Sequence, residues 1–97
     1  MAILTMFEIH GDPDELMSKM ESAVPAEEVQ QMAGQHGGIS KRVVKTDQGI
    51  MVVNQWDSED GMQAMATEMR PKVEGSGVGP QVNWRMYEVL SHRTTGG

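Results

Sequence analysis

The sequence carries one pattern twice within 97 residues. In each copy an apolar run is followed by a short acidic segment, at residues 12–15 and 57–60, and then by apolar residues at helical spacing. Acidic residues suit a helix N-terminus, so each copy predicts a strand followed by a capped helix. A duplicated unit in so short a chain predicts one α+β domain, although any two capped amphipathic helices that follow strands would look alike.

The spacing of apolar, glycine and proline residues divides the chain into predicted elements. Side chains alternate over residues 2–10, Asp12 and Pro13 form a favourable helix start, and Pro25 predicts a break in the helix that follows. The predicted elements are a strand over 2–10, a helix from 12 to 24, a second helical piece over 26–35, an edge strand over 39–46, a strand over 50–56, a helix over 58–70 that Pro71 stops or bends, a connector over 74–81, and a strand over 82–92.

This β-α-β-β-α-β order predicts a ferredoxin-like fold, with a four-stranded antiparallel sheet in the order 4-1-3-2 and helices on one face. The predicted domain spans residues 1–92, and residues 93–97 are expected to form a flexible C-terminal tail. Aligning Asp12 with Asp57 also predicts that the first and third strands run parallel, with Ile9 level with Asn54 and with Gln55 near His10.

Alternation assigns the central strands to two faces. The inner face, expected under the helices, comprises Ile3, Thr5, Phe7, Ile9, Ile50, Val52, Asn54 and Trp56. The outer face comprises Leu4, Met6, Glu8, His10, Met51, Val53 and Gln55. Because the outer face is half apolar, we expect a second copy of the chain to cover it.

Composition excludes several classes of function. The net charge is −6 and no basic stripe is present, which argues against nucleic acid and anionic membranes as partners. There is no cysteine, and the three histidines have no metal-motif spacing, so no metal site is expected. Without a signal peptide or an apolar membrane span, the expected location is the cytoplasm.

Residues 49–65 (Gly-Ile-Met-Val-Val-Asn-Gln-Trp-Asp-Ser-Glu-Asp-Gly-Met-Gln-Ala-Met) resemble the third strand and following helix of the antibiotic biosynthesis monooxygenase-like group, within the dimeric α+β barrel superfamily. The resemblance implies a homodimer with a pocket between sheet and helices in each subunit. Members include cofactor-independent oxygenases of aromatic polyketides and haem-degrading enzymes. The haem-degrading pattern has an Asn on the first strand and a His on the helix after the Trp strand, and this chain keeps only Trp56, so no cofactor is expected unless His36 or His92 substitutes.

Two groups of side chains are candidates for a site. Trp56, Asn54 and Phe7 share the inner face, where they would form a pocket with an aromatic wall and one amide; alternatively, Trp56 anchors the core and Asn54 binds loop backbone. Glu8 and His10 share the outer face, where the carboxylate could orient the imidazole as a general base, or both could form a solvated rim.

The predicted function is binding of a small apolar or aromatic ligand, with cofactor-independent oxygenation as a possible activity. One alternative is a non-enzymatic dimeric binding or stress-response module, including a dimer whose pocket is filled by its own side chains; a second is haem binding. A void above about 300 Å³ would favour the ligand-binding hypothesis over a self-filled pocket.

Overall fold

Four strands form one sheet, and three helices lie on one side of it, in the computed structural model, which describes residues 1–93. The elements are β1 (Ile3–His10), α1 (Pro13–Ala23), α2 (Ala26–Gln35), β2 (Gly38–Lys45), β3 (Gly49–Trp56), α3 (Glu59–Glu74) and β4 (Val82–Glu88). The sheet order β2-β3-β1-β4 confirms the predicted fold. Of the predicted tail at 93–97, residues 94–97 lie outside the described residues, and the domain boundary stays a prediction.

The starts of α1 and α3 are fixed by side-chain caps that the sequence predicts. The Asp12 carboxylate accepts a hydrogen bond from the Glu15 backbone N–H at 3.0 Å. Ser58, and not Asp57, caps α3, because its hydroxyl oxygen accepts from the Gly61 N–H at 3.1 Å. The expected break at Pro25 is present between α1 and α2. A capped helix therefore begins at each of the two acidic segments, as both copies of the pattern predict.

Helix α3 continues past Pro71 to Glu74, so the predicted end of this helix at residue 70 is wrong. A proline near the C-terminal end removes one backbone donor without removing those that follow it. The Gly75 N–H still donates to the Pro71 carbonyl oxygen at 3.3 Å. The last turn also carries Val73, which is half-buried and faces the helix side of the sheet, so packing favours continuing the helix.

The predicted parallel pairing of β1 and β3 is wrong: the two strands are antiparallel, with Ile3 opposite Trp56 and Ile9 opposite Ile50. The physical reason is the hairpin between β2 and β3, which reverses the chain before the second copy of the pattern begins. The predicted inner and outer faces remain correct. Phe7 is opposite Val52 in the predicted and in the observed pairing, so reversing β3 about this pair leaves each of its residues on the same face.

The turn of that hairpin ends at a glycine that the packing requires. Gly49 has a φ of +159°, and a Cβ at this position would collide with the Ile9 carbonyl oxygen on the neighbouring strand. Its N–H donates to the Thr46 hydroxyl oxygen at 3.1 Å, which closes the turn. Glycine therefore permits the close approach of β3 to β1 at this end of the sheet.

Strand β4 is shorter than predicted, ending at Glu88 and not at residue 92, and it pairs with β1 across a bulge between Met6 and Glu8. Asn83 adopts a φ of +56° at this irregularity, a conformation that asparagine tolerates better than most residues. The ring of Trp84 then stacks on Phe7 on the inner face, with ring centroids 5.1 Å apart.

The buried core consists of two separate clusters on the inner face. One contains Phe7, Ile9, Leu16, Ile50 and Val52; the other contains Ile3, Trp56 and Met65. The first lies against α1 and the second against α2 and α3, whose half-buried methionines and valine pack on it. The predicted inner face is thus confirmed as the core-forming side of the sheet, but its apolar part is divided in two.

Candidate ligand site between sheet and helices

An open cavity of about 1370 Å³ lies between the inner face and the helices. All three helices and all four strands contribute to its wall. Most of the wall is apolar, and five methionines line it: Met17, Met20, Met62, Met65 and Met69. Methionine is flexible and polarisable, so this wall can adapt to ligands of different shape.

One row of polar side chains crosses the sheet between the two core clusters. Asn54 on β3 pairs with Lys41 on β2 and with Thr5 on β1, so the three residues stand side by side; we call them the polar row. The rows on either side of it, Ile3–Trp56 and Phe7–Val52, belong to different clusters. The helices pack on the two clusters, and the cavity floor between them carries the polar row.

Trp56 serves both the core and the cavity wall. It is only 7% exposed, and its indole Nε1–H donates to the Thr5 hydroxyl oxygen at 3.2 Å. Thr5 is 1% exposed, so this hydrogen bond is closed to solvent. The two readings of Trp56 are therefore compatible: the ring is held rigidly by the core while it lines the cavity.

Asn54 presents an amide to the cavity. Its side chain is half-buried and lines the cavity floor. Among residues 1–93, no protein group makes a hydrogen bond to this amide, so the alternative of a bond to loop backbone is not observed. The amide offers two donors and one acceptor oxygen for an occupant.

Lys41 completes the polar row with a cation. Its side chain is accessible to solvent by surface area, yet it lines a concave wall, and desolvation by burial lowers its pKa below the usual 10.5. The Lys41 side chain is therefore only partly withdrawn from water: it keeps solvent contact, while the surrounding protein atoms are close enough to lower its pKa. Within the described residues no carboxylate lies within 4.0 Å of its ammonium. A lysine on an edge strand such as β2 is adequately explained as protection against mispairing, and the sequence signal for an inward position of Lys41 is that it alternates in step with Val43.

An aromatic pair stands at the β4 side of the cavity. Phe7 lines the wall at 9% exposure, and Trp84 stacks on it with an interplanar angle of 23° while remaining 43% exposed. The Trp84 indole N–H donates to the Gln81 side-chain oxygen at 3.1 Å, which fixes the ring. Alternation along β4 places Trp84 and Met86 on one face of the sheet, and the Phe7 stack identifies it as the inner face.

Glu8 and His10 lie on the outer face and do not line the cavity. The Glu8 carboxylate accepts a hydrogen bond from the Asn83 amide at 2.7 Å, and His10 is exposed at the end of β1. The expected proximity of Gln55 to His10 is wrong, because antiparallel pairing sets Gln55 beside Leu4 at the other end of the strand. The three predicted pocket residues Trp56, Asn54 and Phe7 share the cavity, whereas the two acid–base candidates are separated from it.

The cavity does not fit a histidine-ligated haem. His36 ends α2, and its Nε2 lies 3.3 Å from a carboxylate oxygen of Glu68. Among the described residues that line the cavity, none is a histidine. Residues 1–93 also contain no group of three or more His, Cys, Asp or Glu side chains arranged to hold a metal ion.

No helix in the same range is long and apolar enough to cross a membrane.

Comparison with known proteins identifies similar folds. No protein-family model matches the chain, and no curated protein matches it in sequence. A dimeric ferredoxin-like protein from an uncultured marine organism is 18% identical, with a TM-score of 0.69 over 98% of this chain and 92% of its own. The monooxygenase from the gene ActVA-Orf6 of Streptomyces coelicolor, in complex with nanaomycin D, is 15% identical, with a TM-score of 0.65 over 98% and 92%.

SnoaB, a cofactor-independent oxygenase from Streptomyces nogalater, is 14% identical, with a TM-score of 0.62 over 99% of this chain and 96% of its own. At such identities the likeness establishes the fold. The chain therefore has the ferredoxin-like α+β fold of structures in the antibiotic biosynthesis monooxygenase-like group, as the resemblance of residues 49–65 predicted.

Proposed function

We propose that this protein binds a small, largely apolar ligand with an aromatic ring in the cavity between sheet and helices. The observation that carries the proposal is the cavity itself, which at about 1370 Å³ is well above the roughly 300 Å³ at which ligand pockets begin. The methionines line this space without filling it. A pocket closed by its own side chains is therefore the weaker alternative.

The chemistry of the wall supports an aromatic ligand. Trp56 offers a rigid ring at one core cluster, and the Phe7–Trp84 stack offers a partly exposed ring at the other side. Aromatic rings favour offset or edge contacts with other rings, and the adaptable methionine wall would cover the remaining surface. Asn54 would orient the ligand by hydrogen bonding to a carbonyl or hydroxyl group.

We also propose that the protein is a homodimer through the outer face. The helices leave that side of the sheet uncovered, and Leu4, Met6, Met51 and Val53 on it are half-buried apolar residues. A similar structure is described as dimeric, which supports the same assembly.

Oxygenation of the bound ligand is a second candidate function. It is favoured by the fold shared with a monooxygenase and with a cofactor-independent oxygenase, and by a cavity that can exclude bulk water from a bound ring. Oxygen uptake with a panel of phenols, without added cofactor, tests it. Binding without oxygen uptake would leave a non-enzymatic binding module as the function.

Ligand binding is tested by thermal unfolding with a panel of naphthols, naphthoquinones and anthraquinones. A ligand at about 100 times its Kd stabilises a protein by about 2.7 kcal/mol, which raises the Tm of a domain of this size by roughly 10 °C or more. Calorimetric titration of the compounds that raise the Tm then gives their affinities. No shift with any member of the panel would contradict the proposal.

A matched pair of variants locates the binding site. Ala66 and Ala64 are both exposed on α3, but only Ala66 lines the cavity. Ala66→Phe places a ring in the cavity and should change the affinity, while Ala64→Phe places the same ring outside and should leave the affinity unchanged. Equal binding by both variants would show that the ligand occupies another surface.

A further inference from the structure

Lys41 differs from the other cations of β2 in its surroundings. It shares the inner-face parity of Val43 and Lys45, but of the two lysines only Lys41 lines the cavity. Its neighbour across the strand pair is Asn54, whose amide is without a protein partner in the described structure. A cation and a hydrogen-bond donor therefore stand side by side in the floor of an apolar cavity.

Within residues 1–93, no carboxylate forms an ion pair with this cation. The cavity's two carboxylates, Glu21 on α1 and Glu74 on α3, come from helices, and neither lies within 4.0 Å of the Lys41 ammonium. Elsewhere a lysine is paired: Lys72 on α3 binds Glu28 at 3.0 Å. A partly desolvated ammonium without a carboxylate partner among residues 1–93 favours an anionic ligand, because pairing offsets the cost of withdrawing a charge from water.

We propose that Lys41 is a specificity-determining residue of the cavity, and that the ligand is an apolar organic anion whose carboxylate or phenolate oxygen pairs with the Lys41 ammonium. The adjacent Asn54 amide donates a hydrogen bond to the same acidic group. This inference rests on the proposed function, since it names the chemical class of the ligand that the cavity takes. It also explains why the polar row crosses an otherwise apolar floor.

Protection of a sheet edge is the competing explanation for an inward-pointing lysine on β2. That role needs only a charge on the edge strand, and Lys45 supplies it equally well. It gives no reason for a ligand's charge to affect its affinity. Edge protection and anion binding are therefore separated by comparing two ligands of the same shape that differ in charge.

The experiment measures the binding of 2-naphthoate and of its neutral analogue 2-naphthamide by calorimetric titration near 0.15 M salt. The wild type should bind the carboxylate about tenfold or more tightly than the amide, as a charge-assisted hydrogen bond provides. Lys41→Met keeps the length of the side chain and removes its charge, so it should abolish this preference by weakening the binding of the carboxylate far more than that of the amide. Lys45→Met makes the same change in net charge outside the cavity and should retain the preference.

The outcomes separate this inference from the proposed function. If the wild type binds both probes equally, or if Lys41→Met keeps the preference for the carboxylate, the role of Lys41 is refuted while binding in the cavity stands. If neither probe binds the wild type, the role of Lys41 is refuted, and the thermal-unfolding panel decides the proposed function separately. Loss of the preference in Lys45→Met as well would assign it to the net charge of the protein, and would also refute the role of Lys41.

Discussion

The hydrogen bond between Trp56 and Thr5 joins the core to the ligand cavity, and its removal should be costly. Thr5→Val replaces the hydroxyl by a methyl group of nearly the same size in a side chain that is 1% exposed. The change creates no cavity and suits a central strand. What it removes is the only acceptor that the described structure provides for the buried Trp56 indole N–H.

The expected cost follows from burial of the orphaned donor. Leaving a buried polar group unpaired costs about 1–3 kcal/mol, and Trp56 is only 7% exposed, so water reaches it poorly. Thr67→Val is the matched control, because the Thr67 hydroxyl donates to the Gln63 carbonyl oxygen on the exposed side of α3. That surface change should alter the free energy of unfolding by no more than about 0.5 kcal/mol.

The assay is urea unfolding followed by far-ultraviolet circular dichroism, at one fixed protomer concentration because self-association adds to stability. Trp56→Phe and the double variant complete a cycle. Since the double variant removes both the donor and the acceptor, it should be less destabilised than the sum of the single changes by about 1 kcal/mol. Additive effects within about 0.3 kcal/mol would refute the hydrogen bond as a source of stability.

Three further perturbations test other parts of the structure. Gly49→Ala should lower the free energy of unfolding by more than about 1 kcal/mol in urea denaturation, because its Cβ would meet the Ile9 carbonyl oxygen; an unchanged midpoint would contradict that approach. Val53→Asp on the outer face should convert the proposed dimer to monomers in sedimentation, whereas an unchanged mass would place the interface elsewhere. Lys41→Met should have a higher free energy of unfolding than the wild type at neutral pH. This difference should shrink as pH rises from the lowered pKa of Lys41 towards 10.5, because over that range the unfolded chain holds the proton and the folded chain does not. A difference that does not change with pH would contradict the desolvation of Lys41.

Features that depend on neighbouring residues could be predicted from the sequence. The Asp12 cap, the break at Pro25 and the β2–β3 hairpin each follow from a few adjacent residues. The two faces of β1 and β3 follow from alternation, which survives reversal of a strand. For this reason Trp56, Asn54 and Phe7 could be assigned correctly to one side of the sheet.

Features that depend on how the elements meet could not be predicted in this way. Aligning the two copies of the pattern ignored the hairpin between them, which made β1 and β3 parallel and placed Gln55 beside His10. The extension of α3 past Pro71 depends on packing of its last turn. The position of Lys41 in the cavity wall could not be predicted, because protection of the sheet edge already explains a lysine on an edge strand.

The distribution of methionines allows a direct test of the central claim, that a ligand enters the space between sheet and helices. Met17, Met20, Met62, Met65 and Met69 line the cavity, whereas Met6 and Met51 lie on the outer face. The measurement is the shift of methionine methyl signals in nuclear magnetic resonance when 2-naphthoate is added to protein labelled at those methyl groups. We predict shifts at the five cavity methionines with little change at Met6 and Met51. Shifts confined to Met6 and Met51, or none at any methionine, would contradict the account.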